Sequence, residues 1–73
     1  MQQLEFSLIS EYIELHALLK LSGVCSSGGA GKILVATGQV VVDGQVEMRK
    51  ACKIRAGQVV SLDDIRIQVR AAD

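Results

Sequence analysis

The spacing of the apolar residues changes near residue 39, and this change constrains the fold more than any other feature of the sequence. Apolar residues before it recur at intervals of three and four, as on one face of an α-helix, whereas those after it alternate, as in β-strands. A short alternating segment also precedes the first helical run. The sequence therefore predicts an α+β protein with the element order β-α-α-β-β-β-β.

The first strand is predicted over residues 3–9 and the first helix over residues 11–21. Apolar and polar residues alternate in the strand segment, which is typical of a half-buried strand. Ser10 is placed to cap the helix, and Glu11 and Glu14 would occupy its first turn. Four residues of the helix lie at helical spacing and are predicted to face the core: Tyr12, Leu15, Leu18 and Leu19.

A second, shorter helix is predicted to end at Gly38. Ser26 and Ser27 precede it as candidate capping residues. Its predicted apolar stripe consists of Ala30, Ile33, Leu34 and Thr37. Lys32 lies on the opposite face of this helix.

The second half of the chain is predicted to form β-hairpins. Asp43 and Gly44 separate the alternating residues 40–42 from Val46, and an Asp-Gly pair in this position is a strong hairpin signal. Asp63-Asp64 is predicted to form the turn of a second hairpin. Further extended segments are predicted at residues 51–54, 59–62 and 65–69.

The length of 73 residues allows one hydrophobic core, so residues 1–73 are predicted to form a single domain. No apolar run approaches the roughly 20 residues that cross a bilayer. A signal peptide begins with basic residues, but no basic residue precedes Lys20 in this chain. A cytoplasmic protein without membrane association is therefore expected. Cys25, Cys52 and His16 are too few and too scattered for a zinc site, so free thiols and no metal or other cofactor are expected.

The net charge is zero, yet the charges are unevenly distributed. Residues 1–19 carry a charge of −3, residues 20–58 a charge of +4, and residues 59–73 a charge of −1. Half of the eight basic residues lie in one short stretch: Arg49, Lys50, Lys53 and Arg55. Such a cluster suits a polyanion, because it displaces counterions from phosphates. The alternative is that these charges only solvate a surface loop.

The segment from Ser26 to Lys32 contains three glycines but does not match a nucleotide-binding motif. A Walker motif would need Gly in place of Ser26 and Ser or Thr in place of Ile33. A dinucleotide-binding fingerprint would need Gly in place of Leu34. What remains is a glycine-rich helix N-terminus, whose N–H groups can bind a phosphate oxygen. If the second helix packs near the basic stretch, Lys32 and the helix N-terminus would lie on the same face of the protein as that stretch.

The residues that could act in catalysis lack partners in the sequence. The single histidine, His16, falls inside the predicted first helix, and a Cys25–His16 pair would still need an oxyanion site and a substrate cleft. The protein is therefore not expected to be an enzyme. Tyr12 is predicted to belong to the core rather than to stack on nucleobases.

Several of these motifs occur together in a fixed order. A helix ending in Leu and Lys is followed by Ser27-Gly28-Gly29-Ala30-x-Lys32-x-Leu34, then Gly38-Gln39-Val40-x-Val42-Asp43-Gly44, then Lys53, Gly57 and Val59-Val60. This succession, over about residues 12–60, resembles the S-four RNA-binding domain, the αL motif of small-subunit ribosomal protein four. The resemblance is strongest to short bacterial members in which the domain is essentially the whole chain.

The resemblance implies two helices packed on a small, bent antiparallel sheet, with RNA bound across the second helix and the adjoining hairpin. The RNA-binding residues that it implies are Ser27, Gly28, Gly29, Lys32, Gln39, Asp43, Gly44, Arg49, Lys50, Lys53 and Arg55. The implied function is a non-catalytic module for structured RNA of the ribosomal or transfer class. The expected state is a monomer that is open to association with ribonucleoproteins.

Two other functions are compatible with parts of the pattern. A protein-interaction subunit could use the same basic stretch on an acidic partner. A β-grasp sulfur carrier has a similar strand-turn-strand segment, but it would need a C-terminal Gly-Gly where this chain ends in Arg70-Ala71-Ala72-Asp73.

Overall fold

The computed structural model describes residues 2–72 of the chain. Within this range the elements are, in chain order, β1 (Gln2–Ser7), β2 (Ile13–Glu14), α1 (Leu15–Leu21), α2 (Gly28–Ala36), β3 (Val40–Val42), β4 (Gln45–Val46), β5 (Lys53–Ile54), β6 (Val59–Leu62) and β7 (Ile65–Arg70). Neither helix is long and apolar enough to cross a membrane.

The strands form one mixed sheet and one separate ribbon. The sheet has the order β1-β7-β6-β3-β4, and β2 pairs with β5 in the ribbon. The predicted α+β class, with two helices and a small sheet, is confirmed. The sheet differs from a wholly antiparallel one at its edge, where β1 runs parallel to β7. These are the first and last strands of the described chain. Residues 8–64 therefore supply the long connection that a parallel pair of strands requires.

The predicted hairpins are confirmed. Asp43 and Gly44 have positive φ angles of 51° and 85°, as a type I′ turn requires at both of its central residues. This turn joins β3 to β4, with Val42 opposite Gln45. The second hairpin joins β6 to β7 through Asp63-Asp64, and it pairs Leu62 with Ile65.

The core lies between the helices and the strands. Its most deeply buried side chains come from α1, α2, β3, β5, β6 and β7: Leu15, Leu18, Leu19, Val35, Val40, Ile54, Val60, Ile67 and Val69. Burial of these aliphatic side chains supplies the main driving force for folding, since the described residues include no buried polar or charged residue and no disulfide.

The first helix begins four residues later than the spacing predicts, at Leu15 instead of residue 11. Residues 13–14 are taken by strand β2, because Ile13 pairs with Ile54 and Glu14 with Lys53. The expected side-chain cap is also absent, since Ser10 donates its hydroxyl to the carbonyl of Tyr12. The first helical N–H groups are bound instead by backbone carbonyls of a distant segment, which removes the need for a capping side chain.

The buried face of α2 also differs from the predicted stripe. Gly31 and Val35 are buried, whereas Ile33 is 66% exposed. The cause is a close approach of the two helices at Gly31. A Cβ atom at this position would lie 2.8 Å from the carbonyl oxygen of His16 and 3.4 Å from the sulfur of Cys25. Hydrophobic spacing alone does not predict this contact, because the contact depends on the absence of a side chain at glycine.

Replacing Gly31 with alanine should therefore destabilise the fold. The added methyl group forces the helices apart, and overpacking of this kind costs about 1–3 kcal/mol of unfolding free energy. Urea unfolding measures the change. Gly29→Ala is the matched control, because its Cβ would meet nothing closer than 3.8 Å and alanine is the better helix former. Equal stability of the two variants would contradict the proposed helix contact.

Candidate nucleic-acid interface

The basic stretch that follows the first hairpin is held against the start of α1 by backbone hydrogen bonds. The N–H of Leu15 donates to the carbonyl of Cys52 at 2.9 Å, and the N–H of His16 donates to that of Lys50 at 3.1 Å. The β2–β5 pairing continues this contact along the chain. A segment without a helix or a long strand is thereby fixed in position.

Tyr12, which directly precedes β2, lies beside two cations of the basic stretch. The Lys53 Nζ atom is 4.9 Å, and the Arg55 guanidinium carbon 5.7 Å, from the centre of the Tyr12 ring. Each contact is of the cation–π type, worth about 0.5–1 kcal/mol at an exposed site. The prediction that Tyr12 belongs to the core is wrong, because the residue precedes a strand rather than lying in a helix and is 38% exposed.

Arg49 is paired with an acidic neighbour. Its Nε atom lies 3.0 Å from the Glu47 Oε2 atom, and its terminal nitrogen lies 3.1 Å from the Glu47 Oε1 atom. The backbone N–H of Arg49 donates to the same carboxylate. The Arg49 side chain and then its backbone N–H lower the pKa of Glu47 to about 2. The charge of Arg49 is therefore largely compensated within the chain.

Asp43 is bound to the loop that precedes β6. Its carboxylate accepts hydrogen bonds from the Val59 N–H at 2.9 Å and from the Gln58 side-chain amide at 3.0 Å. These bonds, the backbone bond first, lower the pKa of Asp43. Gln58 in turn accepts from the Arg55 N–H at 2.8 Å. Asp43 thus links the first hairpin turn to the end of the basic stretch, and the adjoining Gly44 is exposed.

The N-terminus of α2 has the predicted cap. The Ser27 hydroxyl accepts a hydrogen bond from the Ala30 N–H at 3.1 Å. Gly28 and Gly29 form the first turn, and a Cβ atom at Gly28 would lie 3.8 Å from the Nδ1 atom of His16. The backbone N–H of His16 also donates to the carbonyl of Lys50. The start of α2 and the basic stretch therefore share a neighbour.

Not every predicted residue joins this group. Lys32 is exposed on α2, four residues after Gly28 and therefore on the same helix face one turn later. Gln39 is exposed in the connection between α2 and β3, where its side-chain amide donates to the Thr37 hydroxyl. No hydrogen bond or ion pair within residues 2–72 connects either side chain to the basic stretch.

Three exposed cations of this region make no ion pair among residues 2–72, and we refer to them as the cationic strip: Lys50, Lys53 and Arg55. The ion pairs in this range involve other basic residues, namely His16 with Glu14, Arg49 with Glu47, and Arg70 with Glu5. The cationic strip therefore carries uncompensated positive charge.

Three residues of the region were not expected from the sequence: Tyr12, Glu47 and Gln58. A usable signal existed for Glu47, since opposite charges two residues apart in an extended segment lie on the same side. Tyr12 had no such signal, because its surroundings depend on the long-range β2–β5 pairing. Gln58 acts through a side-chain amide that hydrophobic spacing does not report.

The fold and this surface together define a small α+β domain that presents a glycine-rich helix N-terminus beside a cationic strip. The sequence model of the S4 domain family matches residues 6–70, and the chain belongs to this family. The resemblance to the S-four RNA-binding domain is thereby confirmed.

Relatives with sequence and structural similarity agree with this assignment. YbcJ of Escherichia coli (strain K12) and YbcJ of Shigella flexneri are each 55% identical over 60 residues, which cover 82% of this chain and 86% of the relative. The solution structure of YbcJ from E. coli, described as revealing an αL motif involved in RNA binding, has a TM-score of 0.72 and 53% identity. That match covers 92% of this chain and 86% of the other.

Acid should remove the stabilisation that Glu47 provides. The Glu47 pKa is lowered in the folded state from 4.5 to about 2, so the ionised carboxylate stabilises the fold above about pH 4.5, and this contribution is lost as the pH falls through 2. The difference in urea midpoint between the parent protein and Glu47→Gln should shrink as the pH is lowered from 7 to 2. Arg49→Ala should show the same trend, and a pH-independent difference would refute this interpretation.

Proposed function

We propose that this chain binds structured RNA, of the ribosomal or transfer class, through the cationic strip and the N-terminus of α2. The observation that carries the proposal is the lack of ion pairs for Lys50, Lys53 and Arg55 among residues 2–72, in a segment fixed by backbone hydrogen bonds. Ordered, uncompensated cations bind phosphates at a smaller entropic cost than mobile ones.

The first turn of α2 extends this surface. Ser27, Gly28 and Gly29 surround N–H groups that begin a nine-residue helix, and glycine lets a backbone phosphate approach closely. Lys32 adds a fourth cation on the face that begins with Gly28. The distribution of these groups suits the phosphate backbone of folded RNA, which proteins recognise largely by shape.

The other residues implied by the resemblance have supporting roles in this proposal. Asp43 positions the loop after β5 through Gln58 and Val59, and Gly44 and Gln39 border the surface. Arg49 contributes less to binding than the cationic strip does, because Glu47 compensates its charge. Asp43 is a positioning residue rather than an RNA contact.

We propose that the protein acts without catalysis, in the cytoplasm, as a monomer that associates with ribonucleoprotein. Burial raises the pKa of the Cys52 thiol, and the nearby Glu47 raises it further. A raised pKa disfavours the nucleophilic thiolate form. Among the described residues, the His16 ring forms a hydrogen bond only with the Glu14 carboxylate. Similarity to YbcJ of E. coli, whose αL motif is involved in RNA binding, supports the same function.

Salt dependence tests the proposed surface. With about four phosphates neutralised, the logarithm of the affinity should fall with the logarithm of salt concentration with a slope of roughly −3 to −4. Lys50→Ala/Lys53→Ala should reduce the size of this slope by about 1.5, since two phosphate contacts are lost. Filter binding or fluorescence anisotropy with a structured RNA measures both values.

The matched control is Lys20→Ala/Arg66→Ala, which removes the same net charge from exposed positions outside the surface. It should leave the slope nearly unchanged. An equal effect of the two double variants would show that net charge, rather than the cationic strip, governs binding.

Crosslinking in cells, followed by sequencing of the bound RNA, would identify the target. We expect structured RNA to be enriched over the Lys50→Ala/Lys53→Ala variant. A protein partner that is retained after RNase treatment, with no RNA enriched, would support the protein-interaction function and reject the proposal.

A further inference from the structure

Tyr12 belongs to two surfaces that otherwise differ in character. It contacts the cations Lys53 and Arg55. It also lines an open apolar groove of about 430 Å³, together with Phe6, Ile9, Ile13 and Leu21. Tyr12 is thus the point at which positive charge meets exposed apolar surface.

The groove leaves large aliphatic side chains exposed to water. Ile9 is 98% exposed, and Leu21 is 63% exposed. Contiguous exposed apolar surface with a charged border is typical of an interaction site. The nearby Glu11 lines a neighbouring depression rather than this groove.

We infer that this groove receives an unpaired nucleobase, which stacks on Tyr12 while its flanking phosphates contact Lys53 and Arg55. This inference rests on the RNA binding proposed above and adds the feature of the RNA that is recognised. A nucleobase has an apolar face, and the ribose that carries it is joined to a phosphate on each side, so the nucleotide matches the juxtaposition of an apolar groove and two cations. An aliphatic side chain of a protein would leave these cations without a partner.

Stacking also explains why an exposed tyrosine is placed beside the cationic strip. Each nucleobase that stacks on an aromatic ring contributes to affinity without requiring a particular sequence. The groove has room beside the Tyr12 ring for such a base. The expected target is therefore structured RNA with a bulge or loop, not an uninterrupted duplex.

The test compares a fully paired RNA duplex with the same duplex carrying one bulged adenosine. Tyr12→Leu should weaken binding of the bulged RNA about tenfold and leave binding of the paired duplex unchanged. Tyr12→Phe, which keeps the ring, should bind both RNAs as the parent protein does. Fluorescence anisotropy with labelled RNA gives the affinities, and circular dichroism checks that each variant is folded.

The parent protein provides a second measurement that needs no variant. Tyr12 is the single tyrosine of a chain without tryptophan, so its emission reports directly on stacking. The bulged RNA should quench this emission, and the paired duplex should leave it nearly unchanged.

Three results would overturn the inference, and they separate it from the proposed function. An unchanged affinity of Tyr12→Leu for the bulged RNA, with Lys50→Ala/Lys53→Ala still weakened, would reject stacking and retain RNA binding at the cationic strip. Equal weakening of both RNAs by Tyr12→Leu would also reject stacking. Failure of the parent protein to bind either RNA would reject the inference and the proposed function together.

Discussion

The backbone pairing between residues 13–16 and residues 50–54 is the constraint on which the surface depends. It consists of the short β2–β5 ribbon, continued by hydrogen bonds from the first two N–H groups of α1 to the carbonyls of Cys52 and Lys50. Helix N-termini leave such groups without intrahelical partners, so a distant segment can satisfy them. The same bonds determine where α1 begins and where the basic stretch lies.

This constraint brings together groups that are far apart in the sequence. Lys50 is held beside His16, which also neighbours the glycine-rich start of α2 across the contact at Gly31. Lys53 and Arg55 are held beside Tyr12. With a net charge of zero, the chain has no overall field to attract RNA from a distance, so binding depends on this local concentration of charge.

Local sequence signals predicted the elements whose structure is set locally. The Asp43-Gly44 turn and the Ser27 cap were predictable because the backbone angles and N–H groups at these places favour those residues. Local signals did not predict three other features: the start of α1, the exposure of Tyr12 and the buried face of α2. They depend on a two-residue strand pair and on a glycine contact, and tertiary packing there overrides helical spacing. The family resemblance gave the candidate surface, but not the pairing of Arg49 with Glu47.

The most direct test of the central claim is amide chemical-shift mapping by NMR, with isotope-labelled protein titrated with the bulged RNA. The claim is that the start of α2 and residues 50–55 form one RNA-binding surface. It predicts that the largest shifts occur at Gly28, Gly29 and residues 50–55, with little change in the distant turn at residues 62–66. Shifts concentrated in that turn, or none at the start of α2 and in residues 50–55, would contradict it.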